Sequence, residues 1–187
     1  MTAQIILASA SPRRRELLGQ IGIQYHVSPV NLDETPLPDE QPAVYVQRIA
    51  AEKSAAIRNN LLPVLAADTT VVLDDVIFGK PEDKHHALRM LRQLSGRTHQ
   101  VYTAVSLRGL EHRQVLSATE VTFKKLSDQE IIAYWATGEP KDKAGAYAIQ
   151  GLGAMFVETI KGSFSGVVGL PIFETVEILA KEGITIL

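Results

Sequence analysis

The sequence predicts an α/β protein built on a mixed sheet. Three observations lead there. Segments with helical apolar spacing alternate along the chain with short β-type runs. Two stretches read as hairpins, which break a strictly parallel pattern. Residues 62–73 form an almost wholly apolar run, the signature of a strand covered on both faces.

The elements follow in order. Ile5, Ile6 and Leu7 read as a buried strand that turns into a helix over 12–20. Ser11 is its expected N-cap, since a hydroxyl oxygen can accept a first-turn amide. Pro12 falls at the first helical position, where its missing N–H is no loss. Leu17, Leu18 and Ile21 should face the core, with Gly22 as the stop. Residues 23–28 alternate as a half-buried strand does. A loop over 29–41 carries Asp33, Glu34, Asp39 and Glu40; loops of that length in compact domains are often functional. Pro42 opens a second helix reaching about Arg58, with Val46, Ile49, Ala50 and Ile57 on one face and Asn59-Asn60 at its end. After the 62–73 strand, Asp74-Asp75 turns the chain into a short strand at 76–78, closed by Gly79-Lys80-Pro81. A third helix spans about 83–94, with Gly96 past its end. Strands over about 98–107 and 114–123 flank a polar loop at 108–113. Ser127 and Glu130 fit a capping box for a fourth helix that stops near Gly138. A glycine-rich stretch at 145–153 leads into a strand over 155–160. Gly162-Ser163 turns the chain, and Pro171 begins the last helix, which carries Ile172, Phe173, Val176, Ile178 and Leu179.

A chain of 187 residues is most simply one domain, 1–187. Its 45% hydrophobic and 21% charged content is that of a globular protein. A net charge of −2 argues against general attraction to nucleic acid or membranes, so any cationic site must be local. The chain has no cysteine, which excludes disulfides, thiolate zinc sites and a cysteine nucleophile. That fits a reducing cytoplasm. The N-terminus lacks a basic n-region and a long apolar core, and no apolar run is long enough for a membrane span.

Chemistry is expected first where the first strand meets the first helix. Arg13, Arg14 and Arg15 crowd the positive end of a helix dipole, where a cation is disfavoured by roughly 0.3–1 kcal/mol each. An anion held by free amides, Ser9, Ser11 and guanidinium forks accounts for them; so does simple solvation with Glu16 nearby. Asp68 interrupts the apolar strand between small neighbours, Ala66, Ala67, Thr69 and Thr70. An ionised carboxylate there needs a partner or a metal, unless it sits at the strand end on a loop. Lys80, fixed between Gly79 and Pro81, suits a phosphate. Lys53 and Glu34, taken alone, read as surface charges. The segment 141–151 mixes charge, glycines and Gln150, and its glycines either admit a ligand close to the backbone or simply turn the chain. The five histidines show no metal-site spacing. There is no P-loop and no nucleophile elbow.

Five ordered motifs then stand together: Ser9-Ala10-Ser11-Pro12-Arg13-Arg14, Ala67-Asp68-Thr69, Gly79-Lys80-Pro81, Lys143-Ala144-Gly145-Ala146-Tyr147 with Ile149-Gln150-Gly151, and Val168-Gly169-Leu170-Pro171. Across nearly the whole chain they resemble the Maf family of nucleoside triphosphate pyrophosphatases. The resemblance implies an elongated, strongly curved mixed sheet with flanking helices in two lobes around a central cleft. It implies cleavage between the α- and β-phosphates, a divalent cation (Mg²⁺ or Mn²⁺), and frequently a homodimer. Asp68 matches the catalytic acid, Arg13 the arginine of the Ser-Pro-Arg motif, and Lys80 the lysine of the Lys-Pro motif. Glu34 and Lys53 resemble the acid and lysine between those motifs, with Asp33 a competitor for the acid. Arg13, Thr69 and Gln150 match the specificity positions of the dTTP/UTP branch.

Physical chemistry agrees in part. Arg13, Arg14, Lys53 and Lys80 can screen a triphosphate, and Ser9 can bind it. Glu34 and Asp68 can hold the metal through oxygen, and Asp68 can orient or deprotonate water. The Gln150 amide can read the O4 and N3–H edge of uracil or thymine and reject cytosine. The rival from another class, also implied by the resemblance, is a non-catalytic nucleotide-binding regulator of cell division and septum formation.

Overall fold

A computed structural model describes residues 2–58 and 61–186. Among them, seven strands form one sheet: β1 (Ile5–Leu7), β2 (Tyr25–Val27), β3 (Val64–Leu73), β4 (Val76–Phe78), β5 (Thr98–Arg108), β6 (His112–Phe123) and β7 (Val157–Lys161). The order is β2-β1-β3-β5-β6-β7, with β4 also paired to β3. β1 runs parallel to β2 and β3; every other pair is antiparallel. Six α-helices flank the sheet among the described residues: α1 (Pro12–Gln20), α2 (Pro42–Ala56), α3 (Lys84–Leu94), α4 (Asp128–Ala136), α5 (Phe164–Val168) and α6 (Ile172–Ala180). The mixed α/β class is therefore as expected.

Local chemistry explains the boundaries. α1 and α2 both begin on a proline, which suits a helix start because that amide has no partner within the helix. Asp74 and Asp75 adopt positive φ of 52° and 62°, and this two-residue turn lets β4 fold back on β3. Ser127 and Glu130 form the expected capping box of α4. Asp83 caps α3 by accepting the His86 amide at 2.7 Å.

Some expectations need correction. Ser11 is the N-cap of α1 by position, but its hydroxyl makes no capping bond. Its own amide donates instead to Ser9 Oγ at 3.2 Å. Met155 and Phe156 are not strand; they end a 3-10 helix at Leu152–Phe156. The Leu152 and Gly153 amides there donate to the Glu139 carboxylate rather than to a neighbouring strand. Residues 164–168 form the short helix α5, in a segment to which the sequence assigned no element. The β5–β6 loop shrinks to residues 109–111, and β2 is shorter than 23–28. The expected end of the second helix at Asn59-Asn60 lies outside the described residues.

Two larger apolar clusters pack the sheet. One surrounds Leu91, Leu94, Phe123 and Tyr134; the other surrounds Leu7, Leu18, Leu65 and Leu179. Val168, just after the short α5 turn begins to close, packs against both. On the face of β3 and β5 that includes Ala104, α2 seats Val46, Ile49 and Ala50.

One edge of β3 is left partly bare. β5 pairs with it without a break from Val64 to Val72. On its other side β1 reaches only Leu65, and β4 begins only at Val71. Residues 66–70 thus have a neighbouring strand on one side only. No helix is long and apolar enough to cross a membrane among the described residues.

Candidate active site

The bare edge opens into a cavity of about 370 Å³. Ser9, Arg13, Arg14, Glu34, Lys53, Asp68, Thr69, Lys80 and Gln150 all line it. Residues scattered over much of the chain thus meet in one place. Side chains of adjacent strand residues point to opposite faces, so Asp68 and Thr69 reach one cavity only because the strand edge between those faces is uncovered.

Asp68 stands mid-strand, opposite Ala104 on β5, and is 6% exposed. The strand-end alternative is thereby removed. Its face is the one α2 covers, and the small Ala66 and Ala104 on that face are fully buried. From α2, Lys53 is itself only 7% exposed, so it is no surface lysine. Its Nζ lies 2.7 Å from Asp68 Oδ1 and 2.6 Å from Glu34 Oε1. One ammonium therefore joins a buried carboxylate to one in the acidic loop. Burial pushes the Asp68 carboxyl above its ordinary value, while Lys53 and Arg14 work against that rise. Asp33, the competitor, points elsewhere: its Oδ1 accepts the Thr35 amide at 3.0 Å and the Thr35 hydroxyl at 2.6 Å. The loop bearing Glu34 is anchored to α2. Tyr45 donates its hydroxyl to the Glu34 carbonyl at 2.9 Å, and Arg48 forks onto Glu40 at 2.6 and 2.7 Å.

The start of α1 lines the same cavity. Its first turn has no acidic residue and no side-chain cap, so its positive end faces the cavity uncompensated. Arg13 lines the wall there. Arg14 is buried and largely engaged by protein. Its Nε donates to the Gly169 carbonyl at 2.8 Å, and its two Nη atoms donate to Ser9 Oγ at 3.1 Å and Thr69 Oγ1 at 3.2 Å. It thus orients two cavity hydroxyls as well as adding charge. The Thr103 hydroxyl donates to the Gly166 carbonyl at 2.7 Å and lies 3.0 Å from Thr69 Oγ1. Lys80 is exposed at the rim, and the Gly145 amide donates to the neighbouring Gly79 carbonyl at 3.1 Å.

Sequence reasoning missed Asp142 and Lys143 as wall residues, an ion pair on the same cavity. The signal was present in the charged 141–151 segment, but two adjacent opposite charges look like any solvated pair. The long reach of Arg14 to Gly169 across 155 residues left no mark in the sequence.

A model of the family described as Maf-like protein matches residues 4–182. The chain belongs to that family. A relative from Methylococcus capsulatus, named dTTP/UTP pyrophosphatase, is 54% identical over 185 residues, covering 97% of this chain and 92% of its own. A relative of the same name from Nitrosomonas europaea is 55% identical over 199 residues, covering 97% of this chain and 96% of its own. Among solved structures, a HAM1 protein from Coxiella burnetii aligns with 97% of this Maf-like chain and 100% of its own, at a TM-score of 0.51 and 14% identity. That likeness concerns the fold. The Maf-like motifs read from the sequence all contribute to the cavity wall or its support, including Val168-Gly169 beside Arg14.

Proposed function

We propose that this protein hydrolyses dTTP and UTP to the nucleoside monophosphate and pyrophosphate. The observation that carries the reading is the Lys53 bridge between Glu34 and Asp68, which shares one cavity with the cationic start of α1. The names of the relatives, at more than half identity over nearly the whole chain, support the same reaction and the same bases.

The wall residues divide the work. Arg13, Lys53, Lys80 and the first-turn amides of α1 hold the triphosphate and offset its charge, which grows on the leaving group as the bond breaks. Ser9, oriented by Arg14, offers a hydroxyl to a phosphate oxygen. Asp68 orients a water molecule and takes its proton; the water oxygen bonds to the α-phosphorus, and the bond to the α–β bridging oxygen breaks, releasing pyrophosphate. A carboxyl raised by burial is a stronger base than an ordinary one, which suits that task. Gln150 reads the pyrimidine edge with one donor and one acceptor.

The carboxylates fit a hard divalent cation. Each engages Lys53 through one oxygen, which leaves the other for a metal. Among the described residues no group of three or more His, Cys, Asp or Glu side chains is placed to hold an ion. Mg²⁺ commonly rests on one or two carboxylates plus substrate phosphates and water, and Glu34 with Asp68 provides that set. When bound, Mg²⁺ or Mn²⁺ would add Lewis-acid polarisation of the phosphate.

The test is Asp68→Asn. With dTTP and Mg²⁺, pyrophosphate release should fall by about 10²–10⁴-fold, while calorimetry still detects dTTP binding. Wild-type protein that binds dTTP but releases no pyrophosphate with either metal would overturn the reading in favour of a nucleotide sensor.

A further inference from the structure

We propose that Glu139, which does not touch the cavity, is the positioning residue that sets the base-reading turn and hence pyrimidine discrimination. This rests on the reading of Gln150 given above and deepens it. The Gly151 amide donates to the Ala148 carbonyl at 3.2 Å, closing a tight turn with Ile149 and Gln150 at its centre. Ile149 is buried and Gln150 exposed to the cavity, so the turn presents the amide side chain at its tip.

Both ends of that turn are fixed by one hydrogen-bonded pair outside the wall. At the entry, the Ala148 amide donates to the Tyr134 hydroxyl at 3.0 Å. Tyr134 in turn donates to Glu139 Oε1 at 2.6 Å. At the exit, the same carboxylate accepts the Gly153 amide on Oε1 at 3.0 Å and the Leu152 amide on Oε2 at 2.9 Å. A single carboxylate therefore receives three protein donors and joins the two flanks of the turn. Burial opposes its charge, but the Tyr134, Leu152 and Gly153 hydrogen bonds outweigh that and hold the carboxyl below its usual range.

The backbone is cut to admit this contact. A Cβ on Gly151 would stand 2.2 Å from Glu139 Oε2, and one on Gly153 would stand 2.7 Å from both the Tyr134 hydroxyl and the Ala148 carbonyl. Tyr134 is 1% exposed and its ring packs edge-on against Phe156, at 4.9 Å between centroids. The anchor is thus rigid where it meets the turn. A glutamine at 139 keeps the shape but turns an amide N–H₂ toward one of the three donors, and at least one of them loses its acceptor.

The experiment compares wild type, Glu139→Gln, Gln150→Ala and the double variant. Each is assayed for pyrophosphate release from UTP and CTP with Mg²⁺. Glu139→Gln should raise KM for UTP by about tenfold, the effect of losing one charge-assisted hydrogen bond. Its kcat should change less than about twofold, since the bonds it breaks are remote from the reacting phosphorus. The preference for UTP over CTP should shrink by the same factor as KM rises. In the Gln150→Ala background, the same substitution should add nothing, because the residue it positions is gone. Tyr134→Phe, which removes the entry anchor but keeps the ring, should reproduce the KM effect if Glu139→Gln fails to fold. Multiplying effects in the double variant, or a kcat loss without a KM change, would overturn the proposal. Wild type that turns over CTP as well as UTP would instead overturn the reading of Gln150 on which it rests.

Discussion

Replacing Lys53 by methionine removes the ammonium that joins Glu34 to Asp68 while keeping most of the side-chain length. Two unit charges 2.7 Å apart attract by roughly 6 kcal/mol at an effective dielectric of about 20. The burial cost of the lysine, relieved by its removal, offsets part of that. Removing one partner of a buried pair costs about 3–5 kcal/mol, because the other charge is left alone. Asp68 has an escape: it can take a proton. Neutralising an ordinary carboxyl at pH 7, about three units above its free pKa, costs roughly 4 kcal/mol, and this caps the loss. The expected destabilisation at pH 7 is therefore about 3–4 kcal/mol, read as a shift in urea midpoint.

The pH dependence carries a definite sign. In the variant, Asp68 is raised further and keeps its proton when folded but not when unfolded. The folded state then binds more protons, so stability falls as pH rises above about 4, the free value. The deficit against wild type should be smaller at pH 5 than at pH 7, by up to about 2.7 kcal/mol if Asp68 stays protonated throughout. A loss under about 1 kcal/mol at pH 7, or one that grows on acidification, would refute the coupling between these two buried groups.

His99 gives the opposite slope. It is 1% exposed, and burial lowers its pKa to about 4. An unfolded histidine protonates near 6.5, so stability should fall as pH drops from about 6.5 to 4, by about 3 kcal/mol in all. His99→Phe should flatten that stretch of the stability–pH curve in denaturant titrations. The Arg48→Ala variant should free the acidic loop from its fork on Glu40 and its bond to the Thr35 carbonyl at 3.3 Å. Amide exchange over residues 33–40 should quicken, and KM for dTTP should rise several-fold because Glu34 is held less firmly. Some loss of global stability should accompany this, since the fork is half-buried, with the Glu40 side chain 6% and the Arg48 side chain 21% exposed.

Much of the fold was legible because local chemistry and tertiary structure agree. Pro12 and Pro42 mark helix starts in the sequence and in the structure. Ser127 and Glu130 spell out their own cap, and Asp74-Asp75 its own turn. The failures occur where tertiary partners decide. Met155 and Phe156 carry the apolar content of a strand start, but Glu139 accepts the Leu152 and Gly153 amides just before them and the segment winds into a 3-10 helix. α5 is only five residues long, too short to show a helical period. At the site, Asp68 announced itself because a lone acid in an apolar strand is costly. Lys53 did not, because its burial exists only once α2 lies across β3 and β5. Glu34 could be separated from Asp33 only when Thr35 was seen to occupy the latter.

The uncovered stretch of β3 has a consequence for solubility. A strand edge with unpaired backbone groups is a template on which another chain can add, and exposed edges are a common route to aggregation. Here the stretch covers only residues 66–70 and is bracketed by β1 and β4. At about 3.3 Å per residue, an intruding strand would find some 17 Å of free edge before meeting a neighbour at either end. The start of α1 and its arginines stand before that opening. The chain thus leaves this backbone open to a small ligand in the cavity while offering a second polypeptide only a short edge on which to add.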